Sequence, residues 1–297
     1  MERKTAKDFP PEVMDLFNKY AHGNISRRGF LDRAKKYAVG GMSAAAMLEA
    51  LKPNFALAEQ VPKDDARIKA SYQTYSSPEG TGQVKGYFAL PANASGKLPA
   101  VLVIHENRGL NPYIEDVVRR LALLNFVAFA PDALTVLGGY PNNEEQGAKL
   151  YSQLDGKKRI EDMVAAAAYL KGRPEALPKI GAVGFCAGGG AVEAVAVRMP
   201  DLGAAVPFYG GPQPSAEDAA KIKAPMLLHY AEKDDFINPK GPPFEAALKA
   251  AGVKVESYTY PGTLHGFHND TTPRFSEPDA KLAWQRTVDF FNKNLRA

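Results

Sequence analysis

The sequence predicts an α/β fold, with a mostly parallel central sheet of about eight strands, helices on both of its faces and an N-terminal helical arm. Short apolar runs typical of buried strands recur along the chain, and after the first pair they alternate with helical stretches. Such alternation produces parallel strands joined by right-handed crossovers. Apolar residues make up 45% of the chain, and the part that follows the arm is long enough for one domain.

The predicted elements follow in a regular order. The strand-like runs are residues 71–75, 84–90, 100–105, 126–130, 180–185, 203–209, 225–230 and 255–260. The helical stretches are residues 112–124, 159–171, 187–199, 242–251 and 280–295. Within the arm, residues 8–23 have the pattern of a capped amphipathic helix.

The most informative motif is Gly184-Phe185-Cys186-Ala187-Gly188, which contains the only cysteine of the chain. A strand is predicted before it and a helix after it. On such a tight strand-to-helix turn, flanking glycines let the nucleophile stand above the sheet, as in the α/β-hydrolase fold, and sulfur here takes the usual place of serine oxygen. The start of a helix also lowers the pKa of a thiol. The alternative is a small buried cysteine without a chemical role.

An acid and a histidine follow in the order that an α/β-hydrolase uses, each in a loop after a predicted strand. In an open parallel sheet, such loops gather at the carboxyl ends of the strands. Asp234 is the favoured acid, and Asp235 is its alternative. Asp234, Asp235 and Glu232 are neighbours in a polar loop, where most acids only solvate the surface. His265 is the favoured base because glycines flank it in a turn, and His268 is its alternative.

A second polar cluster follows the strand that ends near residue 104. In this fold, the loop after that strand supplies one amide of an oxyanion hole, and the residue after the nucleophile supplies the other. These amides are predicted at Asn107 and Ala187. Glu106 would lie near the thiol, where it could accept the proton of the thiol or raise its pKa. Alternatively, Glu106 forms an ion pair with Arg108 that holds the loop.

Together these motifs resemble the dienelactone hydrolase (carboxymethylenebutenolidase) family over about residues 70–295. The resemblance rests on the His-Glu pair at 105–106, the Gly-Phe-Cys-x-Gly-Gly elbow, the Lys-Asp-x-x-Ile loop at 233–237 and the His-Gly-Phe turn at 265–267. It implies an α/β-hydrolase that cleaves an ester or lactone and needs no cofactor.

The resemblance also implies a role for individual residues. Cys186 would be the nucleophile, Asp234 and His265 would complete a triad, and Glu106 would help to activate the thiol. Tyr209 matches a tyrosine of the site wall in the family, and its alternative role is an aromatic side chain that caps a strand end.

The sequence departs from the family at one substrate contact. In the enzyme that opens dienelactone, an arginine a few residues beyond the histidine grips the substrate carboxylate, whereas here that stretch is Gly-Phe-His-Asn-Asp and Arg274 lies farther along. Arg108, Arg159 and Arg274 are candidates for anion binding, and each is otherwise a surface charge. Arg108 is the one predicted to contact the substrate.

Other classes of protein lack support in the sequence. There is no Gly-x-Ser-x-Gly motif, no phosphate-binding loop and no local spacing of metal ligands, so neither a metal nor a cofactor is predicted. The formal charge is a modest +4, and the basic residues after the arm are scattered, which argues against a nucleic-acid surface. The oligomeric state is left open.

Residues 1–58 form a leader before the predicted hydrolase domain of residues 59–297. Twin arginines in 25–33, a weakly apolar stretch at 37–48 and a small-residue site at 55–58 resemble a twin-arginine export signal. The apolar stretch is too short to span a membrane. The sequence therefore predicts a periplasmic protein, and the alternative is a cytoplasmic protein with an uncleaved helical arm.

The function predicted from the motifs is hydrolysis of a small-molecule carboxylic ester or lactone through a cysteine thioester. Two alternatives remain at this stage: a general carboxylesterase for another small ester, and a non-catalytic binding protein on the same fold.

Overall fold

The computed structural model describes residues 4–38 and 42–296. One sheet contains the strands β1 (Ile68–Ser77), β2 (Gly82–Pro91), β3 (Leu98–Ile104), β4 (Val127–Pro131), β5 (Ala176–Phe185), β6 (Ala204–Phe208), β7 (Met226–Lys233) and β8 (Val255–Leu264). Their order is β1-β2-β4-β3-β5-β6-β7-β8. The pairs β1–β2 and β2–β4 are antiparallel, and every other pair is parallel. The predicted mostly parallel sheet is confirmed.

The α-helices of the described residues are α1 (Pro11–Ala21), α2 (Arg27–Ala34), α3 (Ala44–Leu51), α4 (Phe55–Ala58), α5 (Pro112–Leu123), α6 (Glu144–Tyr151), α7 (Gly156–Lys171), α8 (Ala187–Arg198), α9 (Ala216–Ala219), α10 (Gly241–Ala250) and α11 (Glu277–Leu295). The first four belong to the arm. Helices α6 and α9 were not predicted, because both are short and carry few buried apolar side chains.

Successive side chains of each central strand point to opposite faces of the sheet, and each face has its own apolar core. In β3, Val101 and Val103 pack in the core that contains α5 and α11, whereas Leu102 and Ile104 pack in the core that contains α7, α8 and α10. Both faces of the strand are buried, as expected where helices cover a parallel sheet on both sides. This is why these strands appear in the sequence as continuous apolar runs.

The arm has a small apolar core of its own. Phe17, Phe30 and Leu48 are buried together there, and Leu264 at the end of β8 packs against this cluster. The apolar stretch predicted at residues 37–48 is described only in part, because residues 39–41 lie outside the described residues. In the described part, α3 turns its apolar face into the arm core.

The end of the arm and the residues that follow it are tied to helix α5 and to the loop after β8 by hydrogen bonds. The Asn54 amide donates to the Thr271 carbonyl at 2.8 Å, and the Val61 amide donates to the Asp116 carboxylate at 2.9 Å. The fully buried Arg119 donates to the Val61 carbonyl at 2.7 Å. Hydrogen bonds to charged groups contribute more than neutral ones, so this junction is firmly held. The division of the chain at residue 58 stays a prediction.

The helices of the described residues do not have the dimensions and composition of a membrane span. Across residues 4–38 and 42–296, none of them is both long enough and apolar enough to pass through a bilayer.

Candidate active site

Cys186 occupies a strained turn at the centre of the sheet. Strand β5 ends at Phe185, helix α8 begins at Ala187, and Cys186 between them has φ +55° and ψ −119°. A non-glycine residue at positive φ costs about 1–3 kcal/mol and persists only where its surroundings impose it. The two flanking glycines make the turn possible, because a Cβ on Gly184 or on Gly188 would lie 2.2 Å from a backbone oxygen. The turn leaves Cys186 partly exposed.

Asp234 and His265 meet at the same edge of the sheet. Asp234 is fully buried after β7, and its Oδ2 lies 2.6 Å from Nδ1 of His265, which follows β8. The amides of Phe236 and Ile237 donate to the other oxygen, Oδ1, at 3.3 Å each. The carboxylate is thereby fixed in the position that orients the imidazole.

The competing acids and histidine lie elsewhere. Asp235 is exposed, and Glu232 accepts a hydrogen bond from the Gly262 amide at 2.8 Å. His268 is buried against Phe185, with its Nδ1 2.7 Å from the Tyr113 hydroxyl. The structure therefore brings together the pair that the sequence favoured.

The environment of Cys186 and His265 favours a thiolate beside an imidazolium. Burial alone would raise the pKa of the Cys186 thiol, but the adjacent His265 and His22 outweigh burial and hold this pKa well below its usual range. Burial alone would lower the pKa of His265, but the thiolate and the Asp234 carboxylate raise it to about 10. Sulfur in this state is a ready nucleophile at neutral pH.

Two backbone amides, one at the start of α8 and one in the loop after β3, are free to donate. Within residues 4–38 and 42–296, the N–H groups of Asn107 and Ala187 have no hydrogen-bond acceptor. The start of α8 packs directly on the end of β3, since a Cβ on Gly188 would meet the Ile104 and His105 carbonyl oxygens at 2.2 and 2.5 Å. This packing brings the loop that contains Asn107 next to the elbow, as an oxyanion hole requires.

Glu106 is buried beside Cys186 and is not paired with Arg108. Its Oε2 accepts a hydrogen bond from Asn269 at 2.9 Å. Burial and the negative Cys186 raise the pKa of Glu106 to about 7. Arg108 lies 3.9 Å from the Glu144 carboxylate instead. The ion pair between Glu106 and Arg108, which was the alternative prediction, is therefore not formed.

Glu106→Gln is expected to weaken the loss of stability that accompanies rising pH. The pKa of Glu106 is raised from 4.5 to about 7, so across this range the folded protein keeps a proton that the unfolded chain releases. The contribution of Glu106 to folding stability should therefore fall as the pH rises through this window, by about 3 kcal/mol at 1.36 kcal/mol per pKa unit. Glutamine does not ionise, so the variant should lose less stability between pH 5 and pH 8 in urea unfolding.

The control for this measurement is Glu145→Gln, which changes a largely exposed carboxylate. It should retain the pH dependence of the wild type. An identical decline in all three proteins would contradict the raised pKa of Glu106.

Two adjoining cavities of about 490 and 450 Å³ open at Cys186 and His265. Tyr20, Ala21 and His22 of the arm line both of them. The arm is held there because the side chains of Asn107 and Arg108 donate to the Ala21 carbonyl at 3.2 and 3.0 Å. The arm therefore forms part of the site wall.

The three candidate arginines have different surroundings. Arg108 lines both cavities and Arg274 lines the larger one, whereas Arg159 stacks on the Tyr151 ring at 4.6 Å. The Arg274 guanidinium lies over the Phe17 ring at 5.2 Å, and its Nε is buried without a hydrogen-bond partner among the described residues. The turn after His265 returns the chain to the site, which is why Arg274 reaches it from a distant position in the sequence.

Tyr209 does not lie on the cavity wall, contrary to the expectation from sequence. It is fully buried at φ +38°, and its ring lies behind His265 at 4.8 Å between centroids. The strand end turns the side chain inward, so Tyr209 packs against the base and not against the cavity.

Sequence reasoning missed His22 altogether. It caps the end of α1, and its ring lies 4.3 Å from the His265 ring, edge to face, and 4.7 Å from the Phe236 ring in a stack. The only available signal was a histidine at the end of the predicted arm helix, and nothing local indicates where that helix packs.

Comparison with known proteins gives a consistent set of similarities. The sequence profile of the dienelactone hydrolase family matches residues 84–295, and a YqhI-like profile matches residues 1–39. The "Putative hydrolase fragment YghX" of Escherichia coli K12 is 56% identical over 114 residues, covering 38% of this chain and 97% of the relative. A "Putative carboxymethylenebutenolidase" of Aquifex aeolicus is 34% identical over 224 residues, covering 72% of this chain and 95% of the relative.

A solved structure is similar at the level of the fold and of the sequence. The crystal structure of a "Putative Dienelactone Hydrolase" from Klebsiella pneumoniae has a TM-score of 0.66 at 30% identity, covering 76% of this chain and 99% of that one. The dienelactone hydrolase profile match includes Cys186, Asp234 and His265.

Proposed function

The chain belongs to the dienelactone hydrolase family of carboxymethylenebutenolidase-like hydrolases, and on this premise we propose that it cleaves a small carboxylic ester or lactone through Cys186. The observation that carries the proposal is the 2.6 Å contact between Asp234 and His265, with a ring nitrogen of His265 within 4.8 Å of the Cys186 sulfur. A nucleophile, a base and an orienting acid in that order support acyl transfer.

In the first half of the reaction, the Cys186 thiolate attacks the carbonyl carbon and forms a carbon–sulfur bond. The electron pair of the carbonyl moves to its oxygen, which the amides of Asn107 and Ala187 stabilise. As the intermediate collapses, the carbon–oxygen bond breaks and His265 donates its Nε2 proton to the leaving alkoxide. An acyl thioester and the alcohol result.

In the second half, His265 takes a proton from water, and the resulting hydroxide attacks the thioester. The carbon–sulfur bond breaks, the carboxylic acid leaves and the thiolate returns. Asp234 keeps the imidazole in the required tautomer throughout. Because the pKa of Glu106 is raised to about 7, this side chain holds a proton beside the sulfur below neutral pH, and in that neutral form it does not repel the thiolate.

A substrate panel tests this proposal. Enol-lactones, simple aliphatic esters and activated aryl esters are offered to the wild type and to a Cys186 variant. Turnover of enol-lactones that depends on Cys186 supports the dienelactone-type reaction. Turnover of simple esters alone would replace it with a general carboxylesterase, and failure of every ester together with inert behaviour of Cys186 toward iodoacetamide would favour a binding protein.

We propose further that Arg274 binds an anionic group of the substrate. Its guanidinium lies on the cavity wall, and its buried Nε has no partner among the described residues. Arg274→Gln should raise KM for an ester with a free carboxylate by about 10- to 100-fold, the usual effect of losing a charged hydrogen bond. KM for a neutral ester of similar size should change little.

The matched control is Arg28→Gln, because the Arg28 side chain is 93% exposed on the arm. It should leave both KM values unchanged. An equal rise of KM for the charged and the neutral ester in Arg274→Gln would mean that Arg274 shapes the cavity and does not bind an anion.

We infer that the arm stays attached in the working enzyme, because Tyr20, Ala21 and His22 line the cavities at Cys186. Twin-arginine export to the periplasm stays a prediction, with retention in the cytoplasm as its alternative. The attached arm is tested by the intact mass of the protein purified from its native cells, which should include residues 1–58. Export is tested separately, because replacing Arg27 and Arg28 by lysine should reduce any exported fraction. A mature protein that begins after Ala58 would contradict the attached arm.

A further inference from the structure

Three potential metal ligands converge at the junction of the arm and the hydrolase sheet. One donor atom each of His22, Cys186 and His265 lies within 4.8 Å of the other two. His265 is 2% exposed, and its Nε2 is buried without a hydrogen-bond partner among the described residues. The Nε2 of His22 is also buried without a hydrogen-bond partner among the described residues. Apart from the Cys186 thiol, with which both histidine side chains interact, these two buried nitrogens have no partner among the described residues, so the three donors form an incomplete coordination set.

Hydrogen bonds orient both imidazoles for coordination. Nδ1 of His22 lies 2.8 Å from the carbonyl oxygen of Asn18, which can only accept, so this nitrogen carries a proton. Nδ1 of His265 bonds to the Asp234 carboxylate in the same way. In the neutral rings, each Nε2 then has a lone pair directed away from these partners. Backbone carbonyls and carboxylates hold metal-binding histidines in this same manner.

The chemistry and spacing of the donors suit a borderline-soft cation. One thiolate and two imidazoles are typical ligands of Zn²⁺. Tetrahedral Zn²⁺ with ordinary bond lengths places such donors about 3.5 Å apart. The donor atoms here lie within 4.8 Å of one another, so a small inward movement of the imidazole rings would bring all three to bonding distance from one metal ion.

We propose that His22, Cys186 and His265 form a binding site for Zn²⁺ or a similar divalent cation, with a fourth coordination position open to the cavity. Three protein ligands and one position open to water or another small ligand is an arrangement that tetrahedral Zn²⁺ adopts in proteins. Binding displaces the protons of the ligands, and no electron transfer is involved. The bound metal occupies the sulfur of Cys186 and the Nε2 of His265, so it inhibits ester hydrolysis. This inhibitory effect rests on the proposed function, whereas metal binding itself does not.

Cobalt(II) titration of the full-length, metal-free protein tests the site without any substrate. Thiolate ligation should produce a sulfur-to-cobalt charge-transfer absorption, tetrahedral ligand-field bands should accompany it, and Zn²⁺ should displace both. The charge-transfer band should be missing in Cys186→Ala. Cobalt that saturates the wild type without a charge-transfer band would overturn the site.

His22→Gln is the decisive variant, since it removes the ligand that the arm supplies. We expect its cobalt dissociation constant to rise at least about 100-fold, because the loss of even a hydrogen-bond partner behind a metal ligand lowers metal affinity by about 10- to 100-fold. Lys19→Gln, an exposed change on the same helix, should bind like the wild type. Equal affinity in His22→Gln and in the wild type would overturn the three-ligand site.

A second variant keeps the test decisive if His22→Gln fails to fold. Asp234→Asn alters only the partner of His265, and it should weaken cobalt binding by about 10- to 100-fold. Unchanged affinity in this variant would exclude His265 as a ligand.

Inhibition is measured separately, on each variant relative to its own metal-free activity. Zn²⁺ should inhibit aryl-ester hydrolysis by the wild type, and the inhibition constant should rise in His22→Gln in parallel with the cobalt dissociation constant. Cobalt binding without inhibition would refute the inhibitory effect and leave the site intact. A Cys186→Ala protein that hydrolyses esters normally would refute the proposed function, while the cobalt spectrum would still report on the site.

Discussion

Cys186→Ala is expected to lower kcat for an activated aryl ester by at least about 10⁴-fold, with a residual rate above that of water. The variant loses the only group that forms the thioester, while the free amides of Asn107 and Ala187 still stabilise some charge. Steady-state kinetics and mass spectrometry of a trapped acyl-enzyme measure the two consequences. No acyl adduct should form on the alanine variant.

The matched control is Cys186→Ser, which keeps a nucleophilic atom on the same strained turn. Its hydroxyl lacks the depressed pKa of the thiol, so its activity should lie between those of the wild type and the alanine variant. Neither variant should react with iodoacetamide, whereas the wild type should react at neutral pH. Full turnover of the aryl ester by Cys186→Ala would remove the basis of the mechanism.

Asp234→Asn is expected to have the second largest effect, a fall in kcat of about 10³- to 10⁴-fold with a smaller change in KM. Asparagine cannot accept the Nδ1–H hydrogen bond with a full negative charge, so His265 adopts the wrong tautomer and no longer supports the imidazolium. The loss should appear mainly in kcat, because the carboxylate is buried behind the imidazole and does not face the cavities.

The adjacent Asp235→Asn is the matched control, since the same chemical change is made one residue along on an exposed side chain. Its kcat should equal that of the wild type. The double variant Cys186→Ala with Asp234→Asn should be no slower than Cys186→Ala alone, because residues that act as one unit do not add. Equal losses in the two aspartate variants would show a general effect on the loop.

Much of the site could be predicted because its groups follow parallel strands. Cys186, Asp234 and His265 each come directly after a predicted strand, and the carboxyl ends of parallel strands share one edge of the sheet. The flanking glycines favoured His265 over His268, and the resemblance to the family favoured Asp234 over Asp235; in the structure Asp234 and His265 are in contact at 2.6 Å.

Other features of the site depend on contacts between distant parts of the chain. Tyr209 was expected on the wall because it ends a strand, but its orientation depends on the positive φ and on the packing of His265. Arg274 was only one of three candidates for anion binding, because it lies far from His265 in the sequence, although the intervening turn returns it to the cavity. Neither the direction of a side chain nor the return of a loop to the site can be recognised from a pattern in the sequence.

The sequence by itself determined the sheet, the flanking helices and the tight turn at Cys186, because alternating burial and glycine-flanked turns act over a few residues. It also predicted that residues 8–23 form a helix. Only the tertiary structure decided where this helix lies, since its docking depends on the Ala21 carbonyl meeting Asn107 and Arg108 from the sheet. That long-range contact makes a segment resembling an export leader into a wall of the site and places His22 beside Cys186.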